Sequence, residues 1–315
     1  GILAAVSSPD YPPDFFTGLI TESDWENIKT NPDKPLMNRY LQGKYIPGSI
    51  VKMITQVTLL NSEKFNKDMK QYCPGFYQFG DRIFGCWFTE GHGDLSLTEA
   101  ISVSCDVFFY KTIKQIKLNA LHDSFKQFGF GLKTRIDIPN EVSGLVPNRN
   151  YMQKRYGKYG WSQGVLLNLA IGQGELLVTP IQVLNYVNLL ATKGNSPNCH
   201  FVVVDNLPKN VQPVLKNEIW DNIHEGLREA IIGENGTGKK ANLNLEGFKL
   251  YGKTGTAENS HGDDHAWFVG WADYKNKKYS IAILLENAGS GGAVAAPMAK
   301  KVFSALILKN ELVLK

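Results

Sequence analysis

The sequence predicts an α+β fold, an antiparallel sheet flanked by helices with an added all-helical lobe. Three observations predict it. Short strand patterns cluster after residue 247, helical patterning fills roughly residues 60 to 180, and an apolar helix pattern from about Ala295 to Leu308 closes the chain.

Taken in order, residues 1 to 20 read as a strand ending in the turn Ser8-Pro9-Asp10-Tyr11-Pro12-Pro13, followed by a polar stretch to about residue 45. After the breaker Pro47-Gly48, residues Ile50, Ile54, Val57 and Leu60 fall on or near one helical stripe. Gly75 to Gly93, rich in Gly and aromatics, reads as loop. Leu97 to about Phe128 reads as helix with a Gly129-Phe130-Gly131 stop. Thr179-Pro180-Ile181-Gln182 is a helix start, since Thr can cap, Pro suits the first turn and Gln completes a capping box. Strands follow at Phe248 to Thr254, Ala266 to Ala272 and Tyr279 to Glu286. The whole chain, 1–315, is expected to be one domain, with 1–48 and 247–315 supplying the sheet lobe and about 60–180 the helical lobe.

Composition narrows the function classes. Apolar residues make up 43% and charged residues 20% of the 315, an ordinary globular balance. The net charge is +4, with lysines scattered and paired only as Lys239-Lys240, Lys277-Lys278 and Lys300-Lys301, which argues against nucleic acid as a partner. The longest apolar runs, Ile281 to Leu285 and Phe201 to Val204, are strand-sized and too short to cross a bilayer. The chain opens on Gly-Ile-Leu-Ala-Ala-Val-Ser-Ser with no start signal before it, so a targeting segment is expected to be missing.

Ser49-Ile50-Val51-Lys52 is the only S-x-x-K in the chain, and the helix start sets its hydroxyl and ammonium on one face. A serine needs a neighbouring amine to take its proton, and a helix N-terminus leaves a backbone N–H free for an oxyanion. Alone, the motif reads more readily as a capping serine and a surface lysine than as a nucleophile and its base. Lys253-Thr254-Gly255-Thr256 is the only K-T-G, at the end of a strand pattern. There Gly255 clears the edge for a substrate backbone, and Lys253 with two hydroxyls can receive a carboxylate. Between them lies Ser104-Cys105-Asp106, whose hydroxyl can bridge proton transfer between Ser49 and Lys52. In this order the set is specific, because each motif adds a role the others lack.

With these motifs the sequence resembles the penicillin-binding proteins, and more closely the class B, elongation-type penicillin-binding protein 2 group. Pro47-Gly48-Ser49, Ala170-Ile171-Gly172-Gln173-Gly174 with Thr179-Pro180-Ile181-Gln182, His265-Ala266-Trp267-Phe268-Val269-Gly270, and Gly291-Gly292 with Ala296-Pro297 extend the resemblance over nearly the whole chain. It implies the penicillin-binding/serine β-lactamase-like transpeptidase fold and a peptidoglycan D,D-transpeptidase of cell-wall elongation that needs no cofactor for catalysis. Ser49 would attack the penultimate D-Ala carbonyl of a stem peptide, Lys52 would act as base, and Ser104 would relay the proton. The Ser49 and Thr256 N–H groups would hold the oxyanion. Lys253, Thr254 and Thr256 would hold the terminal carboxylate, or that of a β-lactam. The resemblance also implies the periplasmic face of the bacterial inner membrane, an N-terminal anchor and pedestal missing from this chain, an MreC-like scaffold and a rod-shape SEDS glycosyltransferase. One departure stands out: Asp106 occupies a position that is usually Asn, and an ionised carboxylate can only accept hydrogen bonds.

Cys73, Cys86, His92 and Cys105 lie within 33 residues, with Cys105 inside the S-x-D motif, so its side chain is expected behind the site that Ser104 faces. Three readings stay open: a structural Cys3His zinc, a Cys73-Cys86 disulfide, or unpaired thiols. Two rivals share the constellation, a serine β-lactamase and a β-lactam sensor. The β-lactamase needs a deacylating base, and Glu175, in a Gly-Gln-Gly-Glu turn, is dismissed for that role. None of the six histidines is tied by motif to a serine, and His265 reads as structural. Tyr151 to Trp161 reads as a basic, aromatic loop open to glycan or protein.

Overall fold

The computed structural model describes residues 1–202, 211–259 and 262–313, with side chains as far as residue 309. Contrary to expectation, the first twenty residues form no strand, and Leu3 and Val6 stand exposed. An apolar run without a neighbouring edge has no ladder to hold it extended. The N-terminal part instead contributes α1 (Glu22–Thr30), started by a Thr21/Asp24 capping box, and the single turn α2 (Arg39–Gln42).

Gly48–Val51 then makes one 3-10 turn that runs into α3 (Lys52–Leu60). Lys52 through Leu59 are all buried, so α3 is a core helix closed in on every side rather than a striped surface helix. The expected loop after Gly75 carries short antiparallel pairs. β1 (Gln71–Cys73) pairs with β4 (Gly93–Leu95), and β2 (Phe76–Phe79) pairs with β3 (Arg82–Gly85). Strands of three or four residues are too short for alternation to reveal.

The expected helical stretch resolves into α4 (Leu97–Ser102), α5 (Asp106–Ile113) and α6 (Leu118–Gln127). The segment read as a loop from Tyr151 contains most of α7 (Arg149–Tyr156), a polar helix with only Met152 buried. After α8 (Gly164–Ala170), α9 (Pro180–Ala191) starts with the predicted Thr179/Gln182 capping box, and α10 (Asn217–Ile232) follows. Of the apolar run Phe201 to Val204, the first two residues lie outside any strand and the last two lie outside the described residues.

β5 (Lys249–Ala257), β6 (His265–Tyr274) and β7 (Lys277–Leu285) form one antiparallel sheet in that order, and α11 (Ala296–Val313) closes the chain. Alternation along β6 gives the sheet two apolar faces. Trp267, Val269 and Trp271 join the core of the helical lobe, while Ala266, Phe268 and Ala272 pack with Phe303 and Ile307 of α11. Gly291–Lys309 is long and apolar enough, by length and composition, to cross a membrane, which the short uninterrupted runs did not reveal. In the fold, Ala295, Ala299, Phe303 and Ile307 of that stretch are buried against the sheet. β5 is an edge strand among the described residues, and its open edge faces the turn that carries Ser49.

Candidate active site

Close packing sets β5 against the Ser49 turn. A side chain at Gly255 would come within 2.8 Å of Ile50 Cγ2 and 3.0 Å of the Pro47 carbonyl. The glycine therefore lets the strand lie on the turn, a different reason from the substrate clearance expected of it. Ser49, Ser104, Asp106, Thr254, Gly255 and Thr256 line one cleft of about 780 Å³. Six predicted site residues thus come together from three segments distant in sequence.

Ser49 is partly exposed and caps nothing. The positions capping the 3-10 turn and α3 are Pro47 and Val51, and neither end carries a side-chain cap bond. Lys52 is completely buried. Its Nζ donates to Ser104 O at 2.8 Å, Ser104 Oγ at 3.3 Å and Asp106 Oδ1 at 2.8 Å, so its hydrogens are matched by three acceptors. Ser104 sits at φ +58°, a left-handed backbone that turns its carbonyl and hydroxyl onto the same ammonium.

Asp106 opens α5, where the helix N-terminus favours an anion. Its second oxygen accepts the Trp87 N–H at 3.1 Å, and its own N–H donates to Cys86 Sγ at 3.4 Å. On the β5 side Lys253 is also fully buried, and its Nζ donates to Thr254 O at 3.1 Å. Burial, and then the positive charge of Lys52, hold its pKa well below the ordinary lysine value, with Asp106 pulling the other way. Thr254 Oγ1 donates to Thr237 Oγ1 at 2.9 Å, and Thr256 Oγ1 accepts the Gly291 N–H at 3.4 Å.

The cleft also contains residues that motif reasoning did not single out. Thr237 comes from the turn Gly236-Thr237-Gly238, and Trp87 stands on the wall following β3. Glu258 and Asp264 lie on the rim beyond β5. Glu175 is spoken for by Tyr151, Tyr156 and Arg155. His265 accepts the Asn287 N–H at 3.1 Å through Nδ1, a structural bond.

Behind Asp106 the Sγ atoms of Cys73, Cys86 and Cys105 and a ring nitrogen of His92 lie within 4.8 Å of one another. His92 Nδ1 is 3.6 Å from Cys73 Sγ and 3.5 Å from Cys86 Sγ. None of the four cysteines is in a disulfide, so of the three readings left open the Cys73-Cys86 bond is not formed. The Cys105 thiol hydrogen-bonds Cys86, lowering the pKa of Cys86 and, together with burial, raising that of Cys105, so the negative charge settles on Cys86.

A serine lining the cleft, beside the Ser104 and Asp106 that grip a buried lysine and with no histidine among the lining residues, has the make-up of a site of the serine–lysine class. Within that class the chain belongs to the penicillin binding protein transpeptidase domain family, which matches residues 1–304. The chain is 32% identical to the peptidoglycan D,D-transpeptidase MrdA of Haemophilus influenzae, over 96% of its own length and 50% of the relative's. It thus spans about half the length of the curated relatives it matches. The structure of Pseudomonas aeruginosa PBP2 in complex with WCK 5153 superposes with a TM-score of 0.87 at 33% identity, covering 96% of this chain and 68% of that one. PBP2 in complex with MreC from Helicobacter pylori gives 0.85 at 32% identity, covering 95% and 57%.

Proposed function

We propose that this chain is the catalytic part of a peptidoglycan D,D-transpeptidase of cell-wall elongation, acylated at Ser49 and inhibited by β-lactams. One observation carries the reading: the fully buried Lys52 is gripped by Ser104 and Asp106 in the cleft that Ser49 lines, and Lys253 lies close enough to feel its charge.

The stem peptide lies along the open edge of β5, and its terminal carboxylate meets Lys253, Thr254 and Thr256. That carboxylate opposes the burial and repulsion that lower the Lys253 pKa, so binding favours its charged form. With its hydrogens engaged by Ser104 and Asp106, Lys52 becomes a base once it has passed one proton to the Asp106 carboxylate along their 2.8 Å bond. Ser49 Oγ then attacks the penultimate D-Ala carbonyl, its proton passes to Lys52, and the backbone N–H groups of Ser49 and Thr256 take the oxyanion. Ser104 hands its proton to the departing D-Ala amine as the C–N bond breaks, and takes in its place the proton that Lys52 accepted from Ser49. An amine from a second stem peptide resolves the ester and returns the proton by the same route.

A fluorescent penicillin tests this. Labelling that persists, vanishes in Ser49→Ala, and accompanies D-Ala release from a thioester donor supports the reading. No labelling overturns it, rapid loss of label points to a β-lactamase, and lasting label without D-Ala release points to a sensor.

No cofactor takes part in this chemistry, but the thiol cluster fits a structural zinc. For tetrahedral zinc with Zn–S about 2.3 Å and Zn–N about 2.05 Å, the N···S edge is about 3.6 Å. The two Cys–His separations of 3.6 and 3.5 Å match that edge. Cys73, Cys86, His92 and Cys105 would fill all four positions, so the ion would brace β1, β4 and the Trp87 loop behind Asp106. The similarity to MrdA and to a PBP2–MreC complex supports a cell-wall enzyme that works beside an MreC-like scaffold. In this reading residues 1–315 are one transpeptidase domain, with the strands after residue 247 forming its sheet lobe.

A further inference from the structure

Gln173 lies in the turn after α8 and reaches the open edge of β5 with both ends of its carboxamide. Nε2 donates to Thr256 O at 3.1 Å, and Oε1 accepts the Glu258 N–H at 3.3 Å. Residues two apart in a strand present their backbone groups to the same edge, so the carboxamide replaces one rung of a β-ladder there. Within one strand residue the N–H and C=O point the same way. The Thr256 N–H therefore leaves β5 on the edge where Gln173 holds the Thr256 carbonyl.

The preceding residue grips the other side of the proposed oxyanion site. Gly172 O accepts the N–H of Gly48, the neighbour of Ser49, at 2.9 Å. Gly172 has φ +77°, and a Cβ there would lie 2.1 Å from Gly48 O. Two successive residues of one turn thus tie the nucleophile turn to the end of β5, neither touching the reacting atoms.

We propose that Gln173 is a positioning residue that fixes the Thr256 N–H relative to Ser49. The assignment rests on the reading of Ser49 as the acylated serine. Removing an oxyanion donor outright lowers turnover by roughly 10²- to 10³-fold, and loosening one loses less.

The test compares the intact protein with Gln173→Ala and Gln173→Glu. The second variant keeps the shape and the acceptor for Glu258 N–H while presenting a carboxylate oxygen to Thr256 O. For each, the acylation rate constant and the prior dissociation constant are measured with fluorescent penicillin, the affinity with a boronic acid that forms a tetrahedral adduct at Ser49, and the melting temperature by calorimetry. Both variants should lose roughly 10- to 100-fold in acylation rate constant and a similar factor in boronate affinity, with the dissociation constant and melting temperature nearly unchanged. A lost rate that tracks the dissociation constant or the melting temperature, with boronate affinity intact, overturns the assignment. So do variants as fast as a labelled wild type, whereas an unlabelled wild type overturns the acyl-enzyme reading together with it.

Discussion

Removing Asp106 should destabilise the protein far more than removing it together with Lys52. The two side chains form a 2.8 Å ion pair in which Lys52 is fully buried and Asp106 is 11% exposed. At an effective dielectric of about 20 a pair this close gains ~6 kcal/mol of attraction, which desolvating both ions largely offsets. Asp106→Ala forfeits the attraction, leaves Lys52 desolvated, and frees the Trp87 N–H that Asp106 accepts. The expected loss is about 3–5 kcal/mol. In the double variant Lys52→Met, Asp106→Leu no charge is left behind, and the expected change runs from neutral to a gain of about 1–4 kcal/mol, with penicillin labelling abolished. Guanidinium unfolding of the wild type, both single variants and the double completes a double-mutant cycle. An Asp106→Ala loss below about 1 kcal/mol, or single losses that add in full, would refute this account of the site.

Carboxylate binding should take up a proton at Lys253, whose proton affinity is lowered in the free protein by burial and by Lys52. Between its free and bound pKa values the complex holds more protons, so affinity falls as pH rises; calorimetry of a β-lactam binding Ser49→Ala in buffers of different ionisation enthalpy reads this, and zero uptake at every pH below the ordinary lysine range at which the protein stays folded contradicts it. Purified protein should carry one zinc per chain, lost in Cys105→Ser with a lower melting temperature; metal analysis finding none in the wild type refutes the zinc assignment. Gly172→Ala places a Cβ at 2.1 Å from Gly48 O on a left-handed backbone, which costs more than about 1–2 kcal/mol. Loss of penicillin labelling is expected, and wild-type labelling and melting temperature together would count against the packing described.

The candidate site was legible in the sequence to the extent that its residues lay in short motifs. Ser49, Lys52, Ser104, Asp106, Thr254 and Thr256 all stand where three ordered motifs place them. Their burial was not legible, because a lysine that reads locally as a surface residue, such as Lys52 or Lys253, is enclosed by segments distant in sequence. The late strands were found by alternation, whereas β1 to β4 were too short to show it. The apolar start misled because an alternating run becomes a strand only beside an edge, and α7 was missed because a polar, exposed helix carries no stripe. Thr237 had no signal beyond a Gly-Thr-Gly turn, and the bonds of Gln173 depend on where β5 ends in space.

The departure at Asp106 makes electrostatic sense once both lysines are seen to be buried. A charge on Lys52 disfavours one on Lys253, and burial alone already weighs against a second charge. A neutral amide at position 106 would accept a bond from Lys52 but leave the repulsion unopposed. The carboxylate pairs with Lys52 and also favours the charged form of Lys253, as its opposing influence on that residue indicates. A lone carboxylate in this position would in turn repel an incoming substrate carboxylate, and its pairing with Lys52 removes that penalty. Its orientation is set from behind by the Trp87 N–H and by its own N–H to Cys86 Sγ. The loop that carries the thiols therefore reaches Lys52 through Asp106, so a change in that loop should register as a change in penicillin labelling before it registers as unfolding.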